Sequence, residues 1–258
     1  MKKAFCCAIA VILTIWAAPG LAFAQADEIQ VYDGGLAAPG VFNLTWHNNY
    51  TPSGVKTPGF PGGVTPNHSW NGVPEWAYGV TKWFEAGLYM PLYSNDEHLG
   101  FGLDGFKLRT LFAVPNADDR TFFYGANFEF SVNAKRWDTS RITSEVRPIV
   151  GWHLRPVDII LNPIVDTAYD GFKNLEFVPA TRVAYQLSSA LVVAAEEYAD
   201  FGPLHDFLAS KDQSHQVYAV VDYATKGLDI EAGVGFGLTD ASDRLTIKVI
   251  LSRDLNKR

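Results

Sequence analysis

The clearest regularity in the chain is a period of two. In LDIEAGVGFGLTD (228–240), Leu228, Ile230, Ala232, Val234, Phe236 and Leu238 alternate with Asp229, Glu231, Gly233, Gly235, Gly237 and Thr239. Successive side chains of a strand leave opposite faces, so this spacing predicts a β-strand with one apolar and one polar face. TFFYGANFEFSV repeats it, with Phe122, Tyr124, Ala126, Phe128, Phe130 and Val132 against Thr121, Gly125, Asn127, Glu129 and Ser131; Phe123 breaks the pattern. SEVRPIVGWHL sets Val146, Pro148, Val150, Trp152 and Leu154 against Glu145, Arg147, Gly151 and His153. LEFVPATRVAYQL sets Leu175, Phe177, Pro179, Val183 and Tyr185 against Glu176, Arg182 and Gln186, and RLTIKVILS sets Leu245, Ile247, Val249 and Leu251 against Thr246, Lys248 and Ser252.

Such runs predict twelve strands, near 40–50, 73–81, 83–93, 100–114, 121–132, 141–153, 158–167, 174–187, 190–201, 214–224, 228–239 and 243–254. Almost no segment carries a helical period. Most runs exceed the five or six residues usual in soluble strands and match the ~9–11 that a tilted strand needs to cross a bilayer. Connections 51–72, 133–140 and 202–213 are long, whereas those at Lys82, 154–157, Ser188–Ser189 and 225–227 are tight, although 94–99 and 115–120 are about equal. Alternating long and short connections are a property of membrane barrels. Trp46, Trp76, Trp83, Trp152 and Tyr223 fall near strand ends, where amphipathic rings favour the membrane–water interface. The expected fold is a closed, all-β, antiparallel up-and-down transmembrane barrel of about twelve strands. Hydrocarbon leaves no water for an unpaired backbone group, so a spanning sheet can have no edge. The inward glycines of GVGFG suit a crowded interior.

The front of the chain changes where this barrel is expected. Lys2 and Lys3 precede an apolar stretch of about fifteen residues, followed by Pro19, Gly20 and small residues. That is too short for a spanning helix and has the form of a secretory signal peptide over 1–24, cut after Ala24 or Ala26. Residues 25–39 are then a short periplasmic lead-in and 40–255 the barrel. Both cysteines, Cys6 and Cys7, leave with the leader, which excludes disulfides, cysteine–metal sites and thiol nucleophiles. Processing leaves 19 basic against 28 acidic residues, a balance unsuited to nucleic acid. An even strand number puts both chain ends on the periplasmic side of the outer membrane.

The polar stripe supplies the candidate site. Glu129, Glu145, Arg147, Glu176, Arg182, Asp222, Asp229, Glu231 and Lys248, with Lys107 and Arg109, are expected to face the lumen. There they line a solute path or pair into a network that fills a narrow barrel, since unpaired buried charge is costly. Glu196 and Glu197 are adjacent, so one must point outward; they read as rim carboxylates, with calcium binding the minor alternative. The Gly/Pro-rich loop 51–72 reads as a surface loop. Two other functions compete. An outer-membrane lipid hydrolase needs a nucleophile beside a base, and His68–Ser69, being adjacent, would face opposite ways on a strand. A soluble periplasmic β-sandwich would pack Phe128, Val234 and Ile247 together. No cofactor, metal or catalytic residue is expected.

The stretches DEIQVYDGG (27–35), FNLTWHNNYTP (42–52) and NGVPEWAYGVTKWFEAGLYMPLYS (71–94) resemble the bacterial outer-membrane family catalogued as "MetA-pathway of phenol degradation", or as a putative transporter. Pro74–Val80 and Trp83–Tyr89 carry most of the likeness. The resemblance implies an outer-membrane barrel that passes or binds small molecules, hydrophobic or aromatic ones included. Its partners would be outer-membrane lipids, the barrel-insertion machinery and an unknown solute. Such barrels usually end on an aromatic residue, whereas this chain ends LSRDLNKR, with Leu255 nearest that role.

Overall fold

The alternation folds as expected. A computed structural model describes residues 28–256; the leader lies outside them. Twelve antiparallel strands follow in order: β1 (Phe42–Ser53), β2 (Ser69–Gly79), β3 (Phe84–Asp96), β4 (Gly100–Ala113), β5 (Phe122–Asn133), β6 (Ile142–His153), β7 (Val157–Asn162, resuming at Val165–Thr167), β8 (Glu176–Phe177, resuming at Ala180–Gln186), β9 (Leu191–Asp200), β10 (Ser214–Ala224), β11 (Asp229–Gly237) and β12 (Leu245–Asp254). Each strand pairs with its chain neighbours. β12 returns to β1, from Asn43↔Asp254 to Ser53↔Leu245, and the ring closes without an edge. β7 and β8 each break at a proline, Pro163 and Pro179, which has no N–H to give the ladder.

The apolar face points outward. Phe128, Val234 and Ile247 are 43%, 38% and 38% exposed, which removes the β-sandwich, whose core they would fill. The start of β1 and the finish of β12 lie at one end of the barrel, the terminal end, with the connections 80–83, 114–121, 154–156, 187–190 and 225–228. The opposite, loop end carries 54–68, 97–99, 134–141, 168–175, 201–213 and 238–244. The first loop is shorter than expected because β1 and β2 run on to pair Thr51 with Ser69. It also folds inward: Val64 N–H donates to Arg136 O and Thr65 N–H to an Asp96 carboxylate oxygen.

Ring aromatics gather where the terminal end begins. Trp83 stacks on Phe112, Phe84 on Phe112, and Phe122 lies against Trp152; Tyr223 stands one residue from the end of β10. Trp46 and Trp76 differ. They sit deeper in β1 and β2, where Trp46 lies opposite Pro74, so the strand-end placement expected for them is not what the fold gives.

Candidate functional site

The lumen is full. Residues 28–36, part of the stretch expected as a periplasmic lead-in, thread into the barrel, and Ile29, Val31 and Tyr32 are buried there. Asn162 clamps this segment as a neighbouring strand would: Tyr32 N–H donates to Asn162 Oδ1 at 2.7 Å, and Asn162 Nδ2 donates to Tyr32 O at 3.0 Å. Val31 and Tyr32 pack with Leu111, Phe123, Ile149 and Ile160 on the inner wall. That accounts for Phe123, the apolar residue on a polar face. Its ring stacks on His153, and a Cβ at Gly151 would lie 2.0 Å from it, so the wall needs glycine there.

Around the segment, charges from many strands meet in two groups. On one side Arg182 of β8 pairs with Glu196, Asp222 and Glu231, and Lys248 of β12 pairs with Glu196 and Glu231 at 2.5 Å each. Lys248 Nζ also donates to Ile29 O at 3.0 Å, tying this group to the segment. Gly233 and Gly235 leave the room: Cβ atoms there would lie 3.0 Å from Lys248 Cε and 2.3 Å from the Tyr218 ring. On the other side Arg109 pairs with Glu75 and Glu85, His47 Nε2 lies 3.3 Å from Glu75, and Lys107 lies 3.2 Å from Glu129. Arg147 holds Glu145 at 2.6 Å and donates to Gln30 O at 2.8 Å, tying the second group to the same segment. Tyr32 and Tyr89 share a hydroxyl hydrogen bond.

Several residues picked out in the sequence therefore converge: Glu129, Glu145, Arg147, Arg182, Asp222, Glu231 and Lys248 all contribute to these groups. Glu176 stands toward the loop end, opposite Asp166, and Asp229 at the exposed terminal end of β11. Glu196 is not the rim carboxylate it was expected to be. It is 1% exposed in the middle of the lumen, while Glu197 points outward and meets His215. Glu75, Glu85 and His47 were legible by parity, since they share a face with Asn71, Ala77, Gly87 and Asn49. Glu28, Tyr32 and the segment that carries them show no period that would have placed them.

Burial gives the group its chemistry. Lys248 is 0% exposed, Glu129 3%, Arg109 and Arg147 5% and Arg182 7%. Charges lining open water would keep their hydration; these have exchanged it for each other, which is stable only when the pairing is dense. The midsection, among the described residues, is lined by buried, densely paired charges in contact with the inserted segment. Among the described residues no cluster of three or more histidine, cysteine, aspartate or glutamate side chains is arranged to hold a metal ion.

This is the fold of outer-membrane β-barrels. Solved structures of that class superpose on it: the COG4313 outer membrane channel from Pseudomonas putida F1 (TM-score 0.58, 12% identity, 88% of this chain and 100% of that one) and the NanC porin (0.53, 10%, 83% and 100%). The KdgM porin in complex with disordered oligogalacturonate does so too (0.52, 9%, 83% and 99%). No protein-family model and no curated relative matches the sequence.

Proposed function

We propose that the protein is an outer-membrane channel for small molecules that its own N-terminal segment closes at rest. The observation that carries this is residues 28–36 inside a closed barrel, held by Asn162 and by backbone contacts from Lys248 and Arg147. All of these are reversible, non-covalent contacts. The neighbouring structures support passive transport, two of them being named porins and one a channel. The local likeness to the "MetA-pathway of phenol degradation" family supports hydrophobic or aromatic solutes. In this reading the end of the barrel where β1 starts and β12 finishes is periplasmic, with both chain ends on that side, the six loops of the opposite end are extracellular, and a signal peptide is removed after Ala24 or Ala26.

Planar-bilayer recording tests it. The full chain is expected to conduct poorly, and a chain lacking residues 28–36 to conduct several-fold better. Equal, negligible conductance from both would overturn the channel reading.

A further inference from the structure

On the outer face of the barrel, at the loop end, β5 and β6 run further than β7. Val132 lies opposite Ile142 and Phe130 opposite Ser144, but the last residue of β7, Thr167, reaches only the level of Ser144. Ile142 and Arg141 therefore project past the end of the neighbouring strand. The chain then turns back beside the gap. Tyr169 takes a left-handed backbone (φ 62°), which residues with a side chain rarely adopt, and its N–H donates to Thr167 Oγ1 at 3.0 Å. The turn brings the Tyr169 hydroxyl to 2.5 Å from Ser144 Oγ, on the lipid-facing side of the wall. An open groove of about 620 Å³ results, lined by Phe130, Ile142, Ala168 and Tyr169, with Ser140 and Arg141 on its loop side.

The groove's height in the membrane follows from β5. Phe122, against Trp152, marks the interface at the terminal end. From there to Val132 the strand has the ~9–11 residues that cross a bilayer at a tilt. Phe130 and Ile142 thus lie beside acyl chains of the outer leaflet, and Arg141 at the level of its headgroups. Arg141 is exposed, and among the described residues no carboxylate pairs with it. A free cation above an apolar groove, on a chain with 28 acidic and 21 basic residues, complements an anionic head carried on acyl tails. A guanidinium grips phosphate with two parallel N–H donors, so phosphate is the head it fits best. The outer-leaflet lipid with that chemistry is lipid A, an acylated and phosphorylated disaccharide.

We propose that this groove binds a lipid A molecule of the outer leaflet, one acyl chain lying along Phe130 and Ile142 and one phosphate on the Arg141 guanidinium. The Tyr169 turn is the clamp. Its ring closes over the chain, and its hydroxyl bond to Ser144 keeps the ring on the wall. The site lies outside the lumen and stands whether or not the barrel conducts.

The test titrates the purified barrel, stripped of lipid in detergent, with diphosphoryl lipid A. Thermal unfolding gives the apparent affinity, because a ligand that binds only the folded state raises the midpoint. Native mass spectrometry counts the lipid bound. The midpoint is expected to rise and saturate with a single lipid held per barrel. Arg141→Gln is expected to weaken binding about tenfold and Tyr169→Ala several-fold. Arg253→Gln, which removes an exposed cation at the opposite end, is expected to leave it within twofold. Dephosphorylated lipid A is expected to bind the unaltered protein about tenfold more weakly, and Arg141→Gln to make no further difference to it, since guanidinium and phosphate then have nothing to lose but each other. Phosphatidylglycerol or inorganic phosphate that stabilises the protein as well as lipid A does overturns the site. So does an affinity for lipid A indifferent to either groove substitution, or the absence of saturable binding. Conductance of the chain lacking 28–36 is expected to be the same with and without Arg141→Gln, and its absence bears on the channel reading alone.

Discussion

Lys248 shows how much of the lumen depends on single side chains. Its ammonium is fully buried and reaches Glu196, Glu231, the Tyr198 hydroxyl and the Ile29 carbonyl. Replacing it with methionine keeps the stem but strands two carboxylates beside Arg182 alone. Removing one partner of a buried ion pair costs about 3–5 kcal/mol, because the other charge stays buried. Lys248→Met is therefore expected to lower unfolding free energy in urea by roughly that much. Adding Glu196→Gln is expected to restore part of it, since the uncompensated charge is then gone. If the single variant were as stable as the parent, the midsection would be wetter than its burial indicates. Position 248 was readable in the sequence, because Ile247 and Val249 flank it on the apolar face. The number of its partners was not, since only Glu231 is on the neighbouring strand, while Glu196 and Tyr198 come from β9 and Ile29 from a segment without period.

At the level of elements, legibility followed burial on one face. Every strand that must show lipid a continuous apolar stripe announced itself, because hydrocarbon tolerates no exception along that face. The interior imposed no such uniformity. Phe123, the exception to its strand's alternation, packs against Tyr32 and Gly34, and Glu196, expected at the rim with its neighbour, lies in the lumen while Glu197 points outward. The breaks in β7 and β8 sit at prolines that the sequence displayed but that alternation alone did not interpret. Least legible was the inserted segment, whose DEIQVYDGG has neither helical nor strand period. Its attachment is testable at Asn162, which satisfies both backbone groups of Tyr32. Asn162→Ala leaves those groups without that clamp in the lumen, at a cost of about 1–3 kcal/mol. Every 1.4 kcal/mol is tenfold in an equilibrium, so open events in bilayer recordings are expected to become roughly tenfold more frequent. An unchanged frequency would mean that the segment is not what closes the channel.

For the whole molecule, the balance of lumenal charge sets what the opened barrel passes along its axis. The strand-borne carboxylates in the two groups are Glu75, Glu85, Glu129, Glu145, Glu196, Asp222 and Glu231, seven against the five cations Lys107, Arg109, Arg147, Arg182 and Lys248. While residues 28–36 are in place this excess is masked by close pairing and excluded water. Once the segment is gone, water enters, pairing loosens, and an acidic field remains focused between low-dielectric walls, which concentrates counter-ions of the opposite sign. The chain lacking 28–36 is therefore expected to prefer cations, seen as a reversal potential displaced toward the potassium value in a KCl gradient. Glu129→Gln with Glu231→Gln leaves five carboxylates against five cations and is expected to bring that potential close to zero. The effect should weaken in concentrated salt, as screening shortens the reach of each charge to about 3 Å at 1 M. A preference for chloride, or a potential indifferent to both substitutions, would place the conducting path away from these side chains.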